Sequence, residues 1–139
     1  LFPSDNTEIT INEYTLDSYI SVDIDKTKNL LEDNGLKVII IGDGNKVINQ
    51  FPSKGIKLIS GDKVFLLTNG TNINIPNMKG WSRSEVETYL KLLGIKYKID
   101  GYGYVVNQSV APNTQYEKDM EIQIFLEEKF KPENTKREE

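Results

Sequence analysis

The amino-acid sequence contains one supersecondary pattern twice, and this repeat constrains the fold more than any other feature. A shift of 59 positions places Gly94 on Gly35, and a shift of 58 applies after Tyr104. The identical pairs are Leu31/Leu90, Gly35/Gly94, Lys37/Lys96, Ile40/Ile99, Gly42/Gly101, Gly44/Gly103, Val47/Val105, Asn49/Asn107 and Gln50/Gln108. Matches that lie mainly at turns and in strands indicate one structural unit used twice.

The second copy of the pattern predicts a helix followed by a strand. Ser82 and Glu85 have the spacing of a capping box, in which the two side chains accept from orphan backbone N–H groups at the helix start. The apolar stripe of this helix consists of Val86, Leu90 and Leu93. Gly94 suits the left-handed position after a helix, and the alternation over 95–100 predicts a half-buried strand.

The first copy predicts the same elements. Its helix begins after Asp23 as N-cap and ends at Gly35, with Thr27, Leu30 and Leu31 facing inward. The predicted strands are 36–41, 47–50 and 64–67 in the first copy, and 95–100, 104–108 and 122–126 in the second. We therefore predict an α+β fold of two tandem units, each with one α-helix packed on a three-stranded antiparallel β-sheet.

Composition excludes several classes of function. The chain has 17 Lys and Arg residues against 21 Asp and Glu, a net charge of −4 without clustered positive charge, so we expect no nucleic-acid partner. It has no Cys and no His, which excludes thiolate chemistry, disulfides and the usual zinc sites, and we expect no metal and no cofactor. No apolar run of about 18 residues and no signal-peptide pattern is present.

The strands of the first copy are apolar on both faces. At the outward positions, the second copy has Lys96, Lys98 and Gln123, with Phe125 as the exception. The first copy has an apolar set there, which we predict to be a domain-docking surface: Ile39, Ile41, Phe65 and Leu67. A sheet that is apolar on both faces is covered on both faces, and one helix covers only one. The cover can be the second copy, a partner domain outside this sequence or the N-terminal segment.

The order of these elements resembles the PASTA domain. The segment 77–86, Asn-Met-Lys-Gly-Trp-Ser-Arg-Ser-Glu-Val, is similar to the start of the second PASTA domain in class B (monofunctional) penicillin-binding proteins of Gram-positive bacteria, where the pair is C-terminal. The segment 61–70 is similar to the end of their first PASTA domain. One departure is Ser21-Val22 in the first copy, where the second has Gly80-Trp81.

The resemblance gives the domain organisation. We predict an N-terminal linker over 1–15, a first PASTA domain over 16–70, a second over 73–128 and a disordered charged tail over 129–139. An edge strand in the N-terminal segment is an alternative to the linker, because Ile9, Ile11 and Tyr14 alternate weakly with polar residues.

Two short motifs are typical of penicillin-recognising active sites, but their context does not fit catalysis. Ser60-Gly61-Asp62-Lys63 matches S-x-x-K, and Ser4-Asp5-Asn6 matches S-D-N. The mechanism needs the first motif at the start of a helix, whereas Ser60 is predicted to lie in a turn. The nearest sequence to K-T-G, Lys26-Thr27-Lys28, is predicted to lie on a helix. We therefore predict no catalytic residues and no enzymatic activity for this chain.

Four residues are candidates for ligand binding. Trp81 and Arg83 lie at a helix start, where unpaired N–H groups can take a peptide carboxylate. Tyr102 and Tyr104 flank a glycine turn and can stack on sugar rings. The alternative is structural: Trp81 packs under the helix, Arg83 is solvated and Tyr104 belongs to the sheet.

The resemblance also implies a function. We expect a non-catalytic accessory module of a peptidoglycan D,D-transpeptidase, which docks on or positions the catalytic domain at the septal cell wall during cell division. The implied partners are the transpeptidase domain of the same parent chain, peptidoglycan or its stem peptide, and divisome proteins. The implied location is the extracellular face of the membrane, within a membrane-anchored parent. The alternatives are a muropeptide-binding sensor ectodomain of a Ser/Thr kinase with PASTA repeats, and a structural spacer.

Overall fold

The computed structural model describes residues 12–128 and shows two compact units, one of residues 12–40 and 44–69 and the other of residues 41–43 and 70–128. The first unit contains β1 (Glu13–Thr15), α1 (Ile24–Asp33), β2 (Lys37–Ile41, whose last residue is grouped with the second unit), β3 (Val47–Phe51), β4 (Lys57–Ile59) and β5 (Lys63–Thr68). The second contains α2 (Arg83–Leu93), β6 (Lys96–Asp100), β7 (Tyr104–Gln108) and β8 (Glu121–Glu127).

Each unit has one helix and one three-stranded sheet, so the predicted α+β class is confirmed. The strand orders are β2-β5-β3 in the first unit and β6-β8-β7 in the second. The last strand of each unit is therefore the central one. The predicted antiparallel pairing is confirmed between β3 and β5 and between β7 and β8. The strands β1 and β4 also pair antiparallel, in a small two-stranded ribbon that was not predicted.

One detail of the predicted sheets is wrong, because β6 and β8 are parallel. The chain reverses direction at the turn between β6 and β7, and it reverses again before β8. The strand β8 enters between the other two, so it runs antiparallel to β7 and parallel to β6. Parallel neighbours need a crossover rather than a hairpin, and here β7 and the segment after it form that connection.

The helices begin where the sequence predicts. Asp23 is the N-cap of α1, and its side chain accepts from the backbone N–H of Lys26 at 3.0 Å. Both hydrogen bonds of the capping box are present at the start of α2, and Gly94 follows the helix with φ of 70°. Because these local interactions satisfy orphan backbone groups, they fix the helix ends independently of the packing.

The inward face of α1 differs from the prediction at one residue. Thr27 and Leu31 are buried as expected, but the side chain of Leu30 is 43% exposed. Thr27 and Leu31 are separated by one helical turn and lie on the same face, whereas Leu30 is rotated away from that stripe. The core of the first unit is formed by Leu16, Tyr19, Ile24, Leu31, Leu36, Val47, Leu58, Val64 and Leu66.

A glutamine next to the last residue of β3 and one at the end of β7 connect each sheet to the segment before the helix. Gln108 Oε1 accepts from the N–H of Met78 at 2.9 Å, and its Nε2 donates to the carbonyls of Pro76 and Val110 at 3.0 and 2.8 Å. Gln50 repeats these contacts with Tyr19, Asp17 and Pro52. The identity Gln50/Gln108 in the sequence repeat therefore has a structural cause.

The described end of the N-terminal segment contains a strand. Glu13–Thr15 forms β1, which pairs with β4, so a strand lies at the end of the stretch predicted as a linker. Residues 1–11 of that linker, with Ile9 and Ile11, lie outside the described residues, and so does the predicted tail over 129–139.

Candidate functional site

The start of α2 is fixed to β7 by backbone hydrogen bonds. The N–H of Gly80 donates to the carbonyl of Val105, and the N–H of Val105 donates to the carbonyl of Trp81, both at 2.9 Å. The indole of Trp81 is 8% exposed, and its centroid lies 5.9 Å from the ring of Tyr89 in an edge-to-face arrangement. This geometry stabilises the helix start, and it leaves little of the indole face for stacking on a ligand.

The helix N-terminus at Arg83 is already occupied by groups of the chain. The N–H of Ser82 donates to Glu85 Oε1 at 2.9 Å, and the N–H of Glu85 donates to Ser82 Oγ at 3.2 Å. Arg83 Nε lies 3.4 Å from Glu87 Oε2, one turn along the helix. A peptide carboxylate at this position would have to compete with the capping box and with Glu87 for these donors.

Among the large apolar and aromatic side chains of residues 12–128, Tyr102 is the most exposed, at 68%. It lies between Gly101 and Gly103, which have φ of 87° and 107°. A Cβ atom on either glycine would lie 2.3 Å from a carbonyl oxygen of β8, so only glycine fits. The ring of Tyr102 borders a shallow groove of about 340 Å³ together with Leu126 and Glu127. The turn that exposes the Tyr102 ring therefore requires glycine on both sides, because the backbone of β8 lies close to it.

Tyr104 is the first residue of β7 and is half-buried. It forms an isolated backbone bridge with Ser82, so it lies beside the helix start, and its Cα partner in β8 is Glu127. The structure thus places Trp81, Arg83 and Tyr104 around one helix start, with Tyr102 on the adjoining turn. Of these four candidates, Arg83 and Tyr102 are solvent-accessible; a binding role for all four stays a prediction.

The four predicted docking residues are covered to different degrees. Ile41 and Phe65 are 1% and 2% exposed, and Ile39 and Leu67 are half-buried. Phe51, the Cα partner of Phe65 in β3, is 48% exposed. The apolar row on this face of the first sheet therefore continues from a buried phenylalanine to one that is half in solvent.

A polar groove on the second sheet was not predicted from the sequence. It has a volume of about 430 Å³ and is lined by Lys96, Tyr97, Lys98, Ser109, Glu121, Ile122 and Gln123. The outward positions of Lys96, Lys98 and Gln123 follow from strand alternation. Ser109 does not, because the bulge in β7 decides where the chain after that strand lies relative to β8.

The buried tyrosines are neutral packing groups. Burial raises the pKa of Tyr89 well above its ordinary value. Burial and a hydrogen bond of 2.9 Å to the hydroxyl of Tyr14 raise the pKa of Tyr19 to about 12. Neither phenol ionises near neutral pH, so neither has the character of an acid–base residue.

The structure supports the exclusion of penicillin-type catalysis at Ser60. This serine lies in the turn between β4 and β5, and its Oγ donates to the carbonyl of Gly35 at 3.4 Å. Lys26-Thr27-Lys28 lies on α1. The motif Ser4-Asp5-Asn6 lies outside the described residues. Within residues 12–128, no group of acidic side chains has the arrangement of a metal site, and neither helix has the length and apolar character to cross a membrane.

Comparison with known families matches residues 14–70 and 73–128 to the PASTA domain. The chain therefore belongs to the PASTA family, whose members are non-catalytic accessory modules related to the cell wall. This agrees with the two units of the fold, each with a helix and a three-stranded sheet.

Among solved structures, the chain is similar to penicillin-binding protein 2X from Streptococcus thermophilus. The sequence identity is 30%, the TM-score is 0.74, and the match covers 84% of this chain and 17% of that protein. The chain thus spans about a sixth of the penicillin-binding protein that it matches.

Two kinase structures from Staphylococcus aureus also match, at 23% identity. One is the three-PASTA-domain region of a Ser/Thr kinase, with a TM-score of 0.33 over 80% of this chain and 64% of that one. The other is the entire extracellular region of the Ser/Thr kinase PrkC, with a TM-score of 0.36 over 81% of this chain and 46% of that one.

Proposed function

We propose that this chain is the PASTA pair of a penicillin-binding protein, and that it positions a peptidoglycan transpeptidase domain at the septal cell wall. The observation that carries the proposal is the similarity to penicillin-binding protein 2X, at 30% identity and a TM-score of 0.74. The kinase ectodomains, at TM-scores of 0.33 and 0.36, give no comparable support to a sensor function. In this proposal the location is extracellular, within a membrane-anchored parent protein.

The apolar row of the first sheet supports a docking role. The side chains of Ile41 and Phe65 are buried, and Phe51 extends the row to a position that is 48% exposed. Ile48, on the same edge strand, is 52% exposed. Half-exposed apolar side chains that continue a buried row are typical of a surface that contacts another domain. We assign the contact with the transpeptidase domain to this edge of the first unit.

Recognition of peptidoglycan by the helix start of the second unit remains part of the proposal. Tyr102 offers an exposed ring for stacking on a sugar, and Arg83 offers an exposed guanidinium for a carboxylate. Trp81 and Tyr104 support these residues by packing and by the backbone bridge at Ser82. Divisome proteins are the further partners that this location implies.

The test uses the full-length protein that contains this sequence, with and without residues 13–128, each fused to a fluorescent protein in the native cell. We expect the shortened protein to lose its enrichment at the septum and to retain acylation by a fluorescent penicillin. Unchanged septal localisation would contradict the positioning role and favour a spacer. If the shortened protein instead kept its septal localisation and lost a kinase signalling response to muropeptides, the result would support the sensor alternative.

A further inference from the structure

The polar groove on the second sheet is lined by polar groups that have unused hydrogen-bonding capacity. It lies across β6 and β8, and Ser109 closes one side. Lys96 and Lys98 are two residues apart on β6 and project from the same face, with Cα atoms about 6.6 Å apart at the usual rise of a strand. Both side chains are exposed, and neither forms an ion pair with any residue in 12–128.

The opposite side of the groove offers both a donor and acceptors. Ser109 Oγ accepts from the backbone N–H of Gln123 at 2.8 Å, which leaves the hydroxyl hydrogen available. Gln123 Nε2 donates to Asp100 Oδ2, so its carbonyl oxygen is oriented away from that contact; no group in the described segment donates to it. The carboxylate of Glu121, the Cα partner of Lys96, is a second acceptor.

The fold itself does not require this polar row. In the first unit, the positions of Lys98, Gln123 and Ser109 are occupied by Ile39, Phe65 and Phe51, on the same arrangement of strands. Two units with the same backbone therefore have different chemistry on the same face. The polar row is a property of the surface of the second unit and not of its scaffold.

We propose that this groove binds an extended peptide that carries side-chain or terminal carboxylates. The two ammonium groups and the Ser109 hydroxyl would hold carboxylate and carbonyl oxygens, while Glu121 and Gln123 Oε1 would accept from peptide N–H groups. A phosphodiester backbone has no N–H groups to donate to Glu121 and Gln123 Oε1, whereas a peptide backbone has one at nearly every residue. The mixture of donors and acceptors therefore favours a peptide. The site is separate from the helix start at Trp81 and does not depend on docking by the first unit.

The proposal is tested by NMR titration of the complete chain with an acetylated tetraglutamate peptide at low salt. We expect saturable shifts of the backbone amides of Lys96, Lys98, Ser109 and Gln123. The double variant K96Q/K98Q should bind about tenfold more weakly, because it removes both cations from the groove. The matched control K37Q/K57Q has the same net charge but changes two exposed lysines of the first unit, and it should bind like the wild-type chain.

Several results would overturn the inference. Equal weakening in both double variants would show general charge attraction without a site. Shifts confined to the start of α2 would place the peptide elsewhere. Tighter binding of an oligomeric glycerol phosphate than of tetraglutamate would assign the groove to a phosphate polymer. Circular dichroism of K96Q/K98Q establishes that the fold is retained, since both residues are exposed and outside the core. None of these outcomes depends on septal positioning of the parent protein.

Discussion

The two units of this chain share one scaffold and differ in the face that their sheets present. Both have the glutamine bridge from the edge strand, with Gln50 in one unit and Gln108 in the other. On the outer face, however, Phe65 of the first unit is 2% exposed, and the residue at its position in the second is Gln123, which borders an open groove. The repeat identities therefore preserve the backbone connections, whereas the differences change the surface that each sheet presents.

The two units have different residues at equivalent positions with left-handed backbone conformation. Ser21 has φ of 71° where the second unit has Gly80, and Asn113 and Asp119 have φ of 71° and 69° at the positions of Gly55 and Gly61. Asn and Asp tolerate this conformation better than other residues with a Cβ. Each unit therefore keeps the same backbone path with a different distribution of strain.

The largest expected effect concerns the glycine turn beneath Tyr102. Gly101→Ala should lower the free energy of unfolding by at least about 3 kcal/mol, because the Cβ combines positive φ with a clash against backbone that cannot move aside. Gly61→Ala is the control, since it has positive φ but nothing within 4 Å, and should cost about 1–2 kcal/mol. Urea unfolding measures both, and equal effects would show that close packing at the turn is unimportant.

The second expected effect tests whether the two scaffolds are equivalent. Gln50→Ala and Gln108→Ala should each lower the free energy of unfolding by about 2–3 kcal/mol, since each leaves a backbone N–H and two carbonyls without their partner. Asn107→Ala, which removes one hydrogen bond to the exposed N–H of Gln108, should cost at most about 1 kcal/mol. A large effect in only one unit would contradict a shared scaffold.

A smaller effect is expected from exchanging the residues before the two helices. Ser21→Gly should stabilise the chain by about 0.5–1 kcal/mol, because it relieves the left-handed conformation, and Gly80→Ser should destabilise it by a similar amount. Thermal unfolding of the two variants and of the double exchange decides this point. Changes of the same sign in both single variants would show that backbone strain is not the cause.

The smallest effect is expected for the surface ion pairs of the helices. Lys28 Nζ lies 3.2 Å from Glu32 in α1, and Arg83 Nε lies 3.4 Å from Glu87 in α2. Each joins groups one turn apart at the surface, with Glu87 half-buried, so Lys28→Ala and Arg83→Ala should each cost about 0.3–0.5 kcal/mol. A double-mutant cycle for each pair measures the coupling, and a value well above this range for Arg83 would indicate a structural role at the helix start.

Local sequence patterns predicted much of the fold. Asp23, the capping box at Ser82 and Gly94 place the helix ends, because these residues satisfy neighbouring backbone groups without help from distant parts of the chain. The parallel pairing of β6 and β8 was not predicted. It depends on the insertion of β8 between two strands, which is a long-range property of the connection after Gln108.

The candidate site was less predictable for a related reason. The sequence identifies Trp81 as a large aromatic residue at a helix start, but its burial against Tyr89 depends on how the helix packs on the sheet. The polar groove depends on the position of Ser109, which follows a bulge, and on register between β6 and β8. Periodicity gives the face on which a side chain lies, but not the neighbours from other strands that make that face a site.

The most direct test that the two units share one scaffold and differ in one face is to exchange the residues of that face between them and to measure urea unfolding. In I39K/F65Q the first unit receives the polar residues of the second, and in K98I/Q123F the second receives the apolar residues of the first. We predict that I39K/F65Q loses about 3–5 kcal/mol, because Phe65 is buried. We predict that K98I/Q123F changes by less than about 1 kcal/mol, because its positions border solvent. Equal losses in the two variants would contradict the account.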